Sequence, residues 1–77
     1  MLLTGSIEAR VLEVSSVSIH GDQYADVLIQ TDEQVARNEA SRVRMPSHAW
    51  PGGRMPIAGQ RVRIEFLMQQ VTSVRVL

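Results

Sequence analysis

The stretch from Ser41 to Pro56, SRVRMPSHAWPGGRMP, sets Arg42, Arg44 and Arg54 around Trp50, the chain's only tryptophan, and adds three prolines. Guanidinium groups hold phosphates through paired N–H donors, and aromatic rings stack on nucleobases, so these residue types together can grip a single nucleic-acid strand. Trp50 has two other open employments. It could seal one end of a small core with its indole N–H in water, or it could plug into a partner protein.

Further cations follow in Arg61 and Arg63, with Tyr24 as a second exposed aromatic upstream. Arg61 and Arg63 read either as a solvated strand face, diluted by Glu65, or as a strip that tracks phosphates and continues to Arg75. Catalytic chemistry has no comparable signal. There is no Ser-His-Asp order with supporting glycines and no Gly-x-x-x-x-Gly-Lys loop, and Asp22 beside His20 reads as a turn-former. Gly52-Gly53 lacks the strand-to-helix setting of an anion nest. His20 and His48 are the only histidines and there is no cysteine, so neither a zinc site nor a disulfide is expected. We expect no enzyme activity, no cofactor and no metal.

The eight cations are all arginine and are balanced by eight acids. Bulk charge cannot hold nucleic acid at net zero; any such function must come from arrangement. The 77 residues allow one domain, residues 1–77, with a modest core. MLLTGS has no basic leader region and no apolar run approaches a membrane span, so the expected setting is cytoplasmic, with no membrane partner.

The elements that must position these residues read as short β segments. IEARVLEV, residues 7–14, predicts a first strand whose alternation slips phase between Val11 and Leu12, the signature of a bulge. Ser15 to Gln23 reads as a turn around Gly21. YADVLIQT, residues 24–31, turns Ala25, Val27 and Ile29 inward and Tyr24, Asp26, Gln30 and Leu28 outward. Residues 32–40 fit either a hairpin loop or a short helix, the latter through the capping box Thr31-x-x-Gln34 and the Glu33/Arg37 spacing. The hairpin loop is the expected form. A third strand, Ser41 to Met45, buries Val43 and Met45 and exposes Arg42 and Arg44; with a hairpin centred near Arg37 these two face Asp32 and Gln30 respectively. A proline- and glycine-broken excursion follows, with room for at most a turn of helix. RVRIEF, residues 61–66, alternates cleanly, and Val71 to Leu77 closes the chain with Val74 and Val76 inward and Ser73 and Arg75 outward. Five short strands without a strong helix bury their apolar faces by curling into a small barrel.

Thr4-Gly5 ahead of a bent first strand, Gly21 before YADVLIQT, and the Gly-x-x-Val-x-Ile pattern in AGQRVRIEF resemble the OB-fold of bacterial single-stranded DNA-binding and primosomal replication proteins. The resemblance covers most of the chain through short motifs. It implies an all-β, five-stranded OB-like barrel in which the second and third strands form the binding face, so that Tyr24, Arg42, Arg44, Trp50 and Arg54 would contact the strand. Departures are the scarcity of aromatic residues, shorter loops, and a hydrophobic VRVL end in place of an acidic tail. The expected function is sequence-nonspecific binding of single-stranded nucleic acid, with arginines on phosphates and Tyr24 and Trp50 stacked on bases. The expected partners are that strand, further copies of the chain in a homo-oligomer, and replication or plasmid-maintenance proteins. The alternatives are a protein-interaction module of OB type, for which whichever of Met45, Met55, Met68, Leu67 and Leu77 are exposed would provide adaptable apolar surface, and a barrel that binds a small anion or oligosaccharide.

Overall fold

Alternating small apolar and polar residues produce one antiparallel sheet in the computed structural model, which describes residues 4–77; residues 1–3, at the head of the N-terminal stretch read above, lie outside it. The strands are β1 (Gly5–Ile19), β2 (Asp22–Gln30), β3 (Ser41–Pro46), β4 (Arg61–Leu67) and β5 (Gln70–Val76), in the order β3-β2-β1-β4-β5. Among the described residues the single α-helix, α1 (Asp32–Arg37), is short and joins β2 to β3. β1 serves two partners: Gly5 to Arg10 pairs with β4, and Arg10 to Ile19 pairs with β2. The change of partner coincides with a register shift between Val11 and Glu13, where the phase slip predicts a bulge. Val11 donates to the Gln60 carbonyl and accepts from Gly59 N–H, both at 2.8 Å, so its backbone groups are occupied at the bend. The bend curls the sheet until β3 approaches β5, giving a small five-stranded OB-like barrel whose last seam carries no ladder among the described residues.

The core is built from slim side chains. Ala9, Val11, Ala25, Val27, Ile29, Met45, Val62, Ile64, Phe66, Val71 and Val74 are buried, and Ala49 joins them from the β3–β4 excursion. That excursion forms two 3-10 turns, Ser47–Ala49 and Pro51–Gly53, laid against β5, with the first also meeting β2.

Four expectations need correction. β1 runs on through Ser15 to Ile19, where a turn is predicted, and the turn is only His20-Gly21, both left-handed at φ 51° and 84°. Ladder bonds to β2 hold this serine-rich half; side-chain burial, the signal that alternation reads, contributes little. Residues 32–37 are helical, against the expected hairpin loop, because the capping box forms. Thr31 Oγ1 accepts from Gln34 N–H at 3.2 Å, Gln34 Oε1 accepts from Thr31 N–H at 3.0 Å, and Asn38 closes the helix at φ 53°. The helical connection centres the hairpin on Val35 instead of Arg37, so Arg44 faces Asp26 in place of Gln30 and Arg42 faces Leu28 in place of Asp32. In β5 the buried residues are Val71 and Val74, three apart because a register shift opposite Glu65 and Phe66 makes Thr72 the extra residue; Val76 keeps the face of Val74, opposite buried Val62, but is exposed at the end of this edge strand.

Gln34 Nε2 also donates to Ser41 Oγ at 2.7 Å, tying the helix start to β3. Thr31→Ala is therefore expected to destabilise the protein by about 1 kcal/mol, lowering Tm by about 4–8 °C in thermal unfolding.

Candidate nucleic-acid interface

The outer face of β2 and β3 is fixed by the register of the hairpin. Tyr24 lies between Val17 of β1 and Pro46 of β3, Asp26 between Ser15 and Arg44, and Leu28 between Glu13 and Arg42. Strict alternation in both strands puts Tyr24, Arg44 and Arg42 on this one face, as the sequence pattern predicts, while Val27, Ile29 and Met45 are buried beneath.

Arg44 meets Asp26 in a two-pronged contact, Nε to Oδ1 at 2.8 Å and Nη2 to Oδ2 at 3.0 Å. These hydrogen bonds from Arg44 hold the Asp26 carboxyl below the usual carboxylate range, against an opposing push from partial burial; the charges of Arg44 and Arg42 add to the lowering. The Arg44 guanidinium is correspondingly pushed up by its bond to Asp26. Because the folded-state carboxyl titrates below its unfolded value, the pair's contribution to stability is complete above about pH 4. It is lost as the pH falls through the lowered value. Arg42 makes no ion pair among the described residues.

Two grooves follow the open seam between β3 and the β4–β5 hairpin. One, of about 460 Å³, has Tyr24, Arg44, Pro46 and His48 on one bank and Gln69 to Thr72 on the other. The second, of about 820 Å³, has Ile7, Ile29 and Phe66 among its apolar lining and Arg37, Arg42 and Arg44 among its cations. The grooves share Arg44 and Gln69. Arg37 is the more neutralised cation, with Glu33 and Glu39 each at 3.3 Å.

The other residues singled out from the sequence lie elsewhere. Trp50 is half-buried against the core, and its Nε1–H donates to the Met45 carbonyl at 3.1 Å, so the indole N–H is bonded inside the protein and not left to water. Arg54 is exposed just after the second 3-10 turn and lines neither groove. Arg61 pairs with Asp32 at 3.2 Å, and Arg63 pairs with Glu8 across the β1–β4 ladder, away from both grooves. Sequence reasoning missed Asp26 as the partner of Arg44, and it missed His48, Gln69 and Gln70. The capping box is the signal that would have found Asp26, since it sets the hairpin register; nothing in the sequence brings the β4–β5 turn to β3.

Among the described residues no cluster of His, Asp or Glu is arranged to hold a metal ion, and no helix is long and apolar enough to cross a membrane. Comparison with protein-family models, with curated proteins and with solved structures finds no match to this chain. The groove offers planar cations, a phenol ring and side-chain amides. These are groups that bind, through charge, stacking and hydrogen bonding.

Proposed function

We propose that this protein binds single-stranded nucleic acid, with little sequence preference, along the seam between β3 and the β4–β5 hairpin. The observation that carries the reading is the placement of Arg42, a cation without an ion-pair partner among the described residues, beside Arg44 and Tyr24 on grooves that meet. Arg42 and Arg44 take phosphates, and the Tyr24 ring takes a base face. DNA and RNA single strands share this chemistry, since neither contact involves the sugar hydroxyl.

Neutralisation by Asp26 limits the strength of the contact. With Arg42 free and Arg44 neutralised by Asp26, log K should fall against log salt with a slope of about −0.7, the value for one phosphate on a single strand. Anisotropy titration of a fluorescein-labelled oligothymidine at low and physiological salt tests this. Saturable, salt-weakened binding supports the reading, and absence of a complex at low salt refutes it.

Asp26→Asn removes the carboxylate that competes for Arg44. The expected result is a gain of about fivefold in affinity at low salt and a slope steeper by about 0.7, read in the same titration. Protein stability should fall slightly in the same variant, and its loss of stability at acid pH should be smaller than that of the parent.

A second reading, a protein-interaction module that pairs with copies of itself or with replication proteins, is favoured by the open β3 and β5 edges and by exposed Leu67, Met68 and Leu77. Association of that kind would persist as salt rises.

A further inference from the structure

Four non-glycine residues of the described chain have left-handed backbone: His20, Asn38, Met68 and Gln69. Two of these follow the chemistry of their position. Asn38 is a helix C-cap, and His20 leads Gly21 in a two-residue hairpin turn, the kind of pairing that such turns favour. The β4–β5 turn does not. Met68 and Gln69 are consecutive at φ 52° and 70°, a geometry that favours Asn-Gly, and neither side chain has the short polar group that eases it.

The same turn is where the seam meets its ligand face. Gln69 lines both grooves, Gln70 lines the first, and Leu67 and Met68 project into solvent at 57% and 62% exposure. Thr4 Oγ1 accepts from Met68 N–H at 3.2 Å and anchors the turn to the start of β1. A strained backbone persists where something else requires the side chains it carries, and such strain gathers at binding elements. The contrast with His20-Gly21, a turn of the same length with favourable residues away from both grooves, makes the choice at the β4–β5 turn stand out.

We infer that Met68 and Gln69 form a clamp over the bound strand, held in unfavourable backbone geometry because their side chains contact the ligand. The inference rests on the nucleic-acid reading of the groove. Across from Tyr24 and Arg44 the Gln69 amide meets the polar edge of a base, and Met68, exposed beside it and outside both groove linings, folds its thioether over an apolar base face. The clamp thus supplies the bank of the groove that has no cation.

The test is the double variant Met68→Asn/Gln69→Gly, which restores favourable turn chemistry and deletes both ligand-facing side chains. Thermal unfolding is expected to show Tm raised by about 5 °C. Anisotropy titration with fluorescein-labelled oligothymidine at low salt is expected to show affinity reduced by about tenfold. Opposite movement of stability and affinity is the signature, since a turn with a purely structural role would gain stability and bind as before. Unchanged affinity, or no gain in Tm, overturns the clamp while leaving the groove assignment standing. If the unsubstituted protein also fails to bind, the flat parent titration shows that the nucleic-acid reading has failed, and the clamp falls with it.

Discussion

Trp50→Ala is expected to destabilise the protein by about 3 kcal/mol, a large fraction of what a domain of this size commands. Trp50 packs against the buried cluster from the β3–β4 excursion, and its Nε1–H is bonded to the Met45 carbonyl at the end of β3. Truncation opens a cavity beside Ala49 and Met45 and leaves that carbonyl without its indole donor. Trp50→Phe separates the two contributions. The ring still fills most of the space, so the expected loss is about 1–2 kcal/mol, most of it from the missing hydrogen bond and the smaller volume. Denaturant unfolding followed by circular dichroism measures both. A loss in Trp50→Ala below about 1 kcal/mol would show that the tryptophan does not seal the barrel end.

Tyr24→Ala is expected to weaken oligothymidine binding by ten- to hundredfold, consistent with about 1–3 kcal/mol for one stacked base. Tyr24 lines the first groove together with the His48 imidazole, and Phe66 in the second groove is buried in the core. Tyr24→Phe keeps the ring and should bind within about threefold of the parent, because stacking needs the π-face and not the hydroxyl. Equal binding by Tyr24→Ala and the parent would remove the stacking contact from the mechanism. The effect on folding should be small by comparison, since Tyr24 is only half-buried on the outer face, between Val17 and Pro46.

Which parts of this arrangement are legible without coordinates follows from the range of the forces involved. In β2 and β4 the period-two alternation of Ala25, Val27, Ile29 and of Val62, Ile64, Phe66 reports burial directly, and the strands lie where it predicts. The slip at Val11 likewise marks the bulge, because a bulge is an extra residue within the local pattern. The same local logic groups Tyr24 with Arg42 and Arg44. It fails for Ser15 to Ile19, where ladder bonds outweigh burial, and for Val76, which keeps the inward register opposite Val62 but lies exposed at the end of an edge strand.

Register is less legible, because it depends on the connection between strands. Reading residues 32–40 as a loop centred near Arg37 places Arg44 across from Gln30, whereas the capped helix places it across from Asp26 and so changes the charge of the candidate site. Least legible is the seam, since the meeting of Gln69 with Arg44 depends on how far the whole sheet curls. Arg61 and Arg63 illustrate the limit. They alternate as cleanly as Arg42 and Arg44, yet β4 carries them to a face where Asp32 and Glu8 neutralise them.

The most direct test of the account maps the bound strand onto the protein. Amide chemical shifts of the labelled protein would be followed during titration with an oligothymidine at low salt. The account predicts that the largest perturbations fall on Tyr24, Arg42, Arg44 and Gln69 to Thr72, the two banks of the seam. Perturbations confined to the Glu8, Arg61 and Arg63 face, or a spectrum unchanged at saturating oligonucleotide, would contradict it.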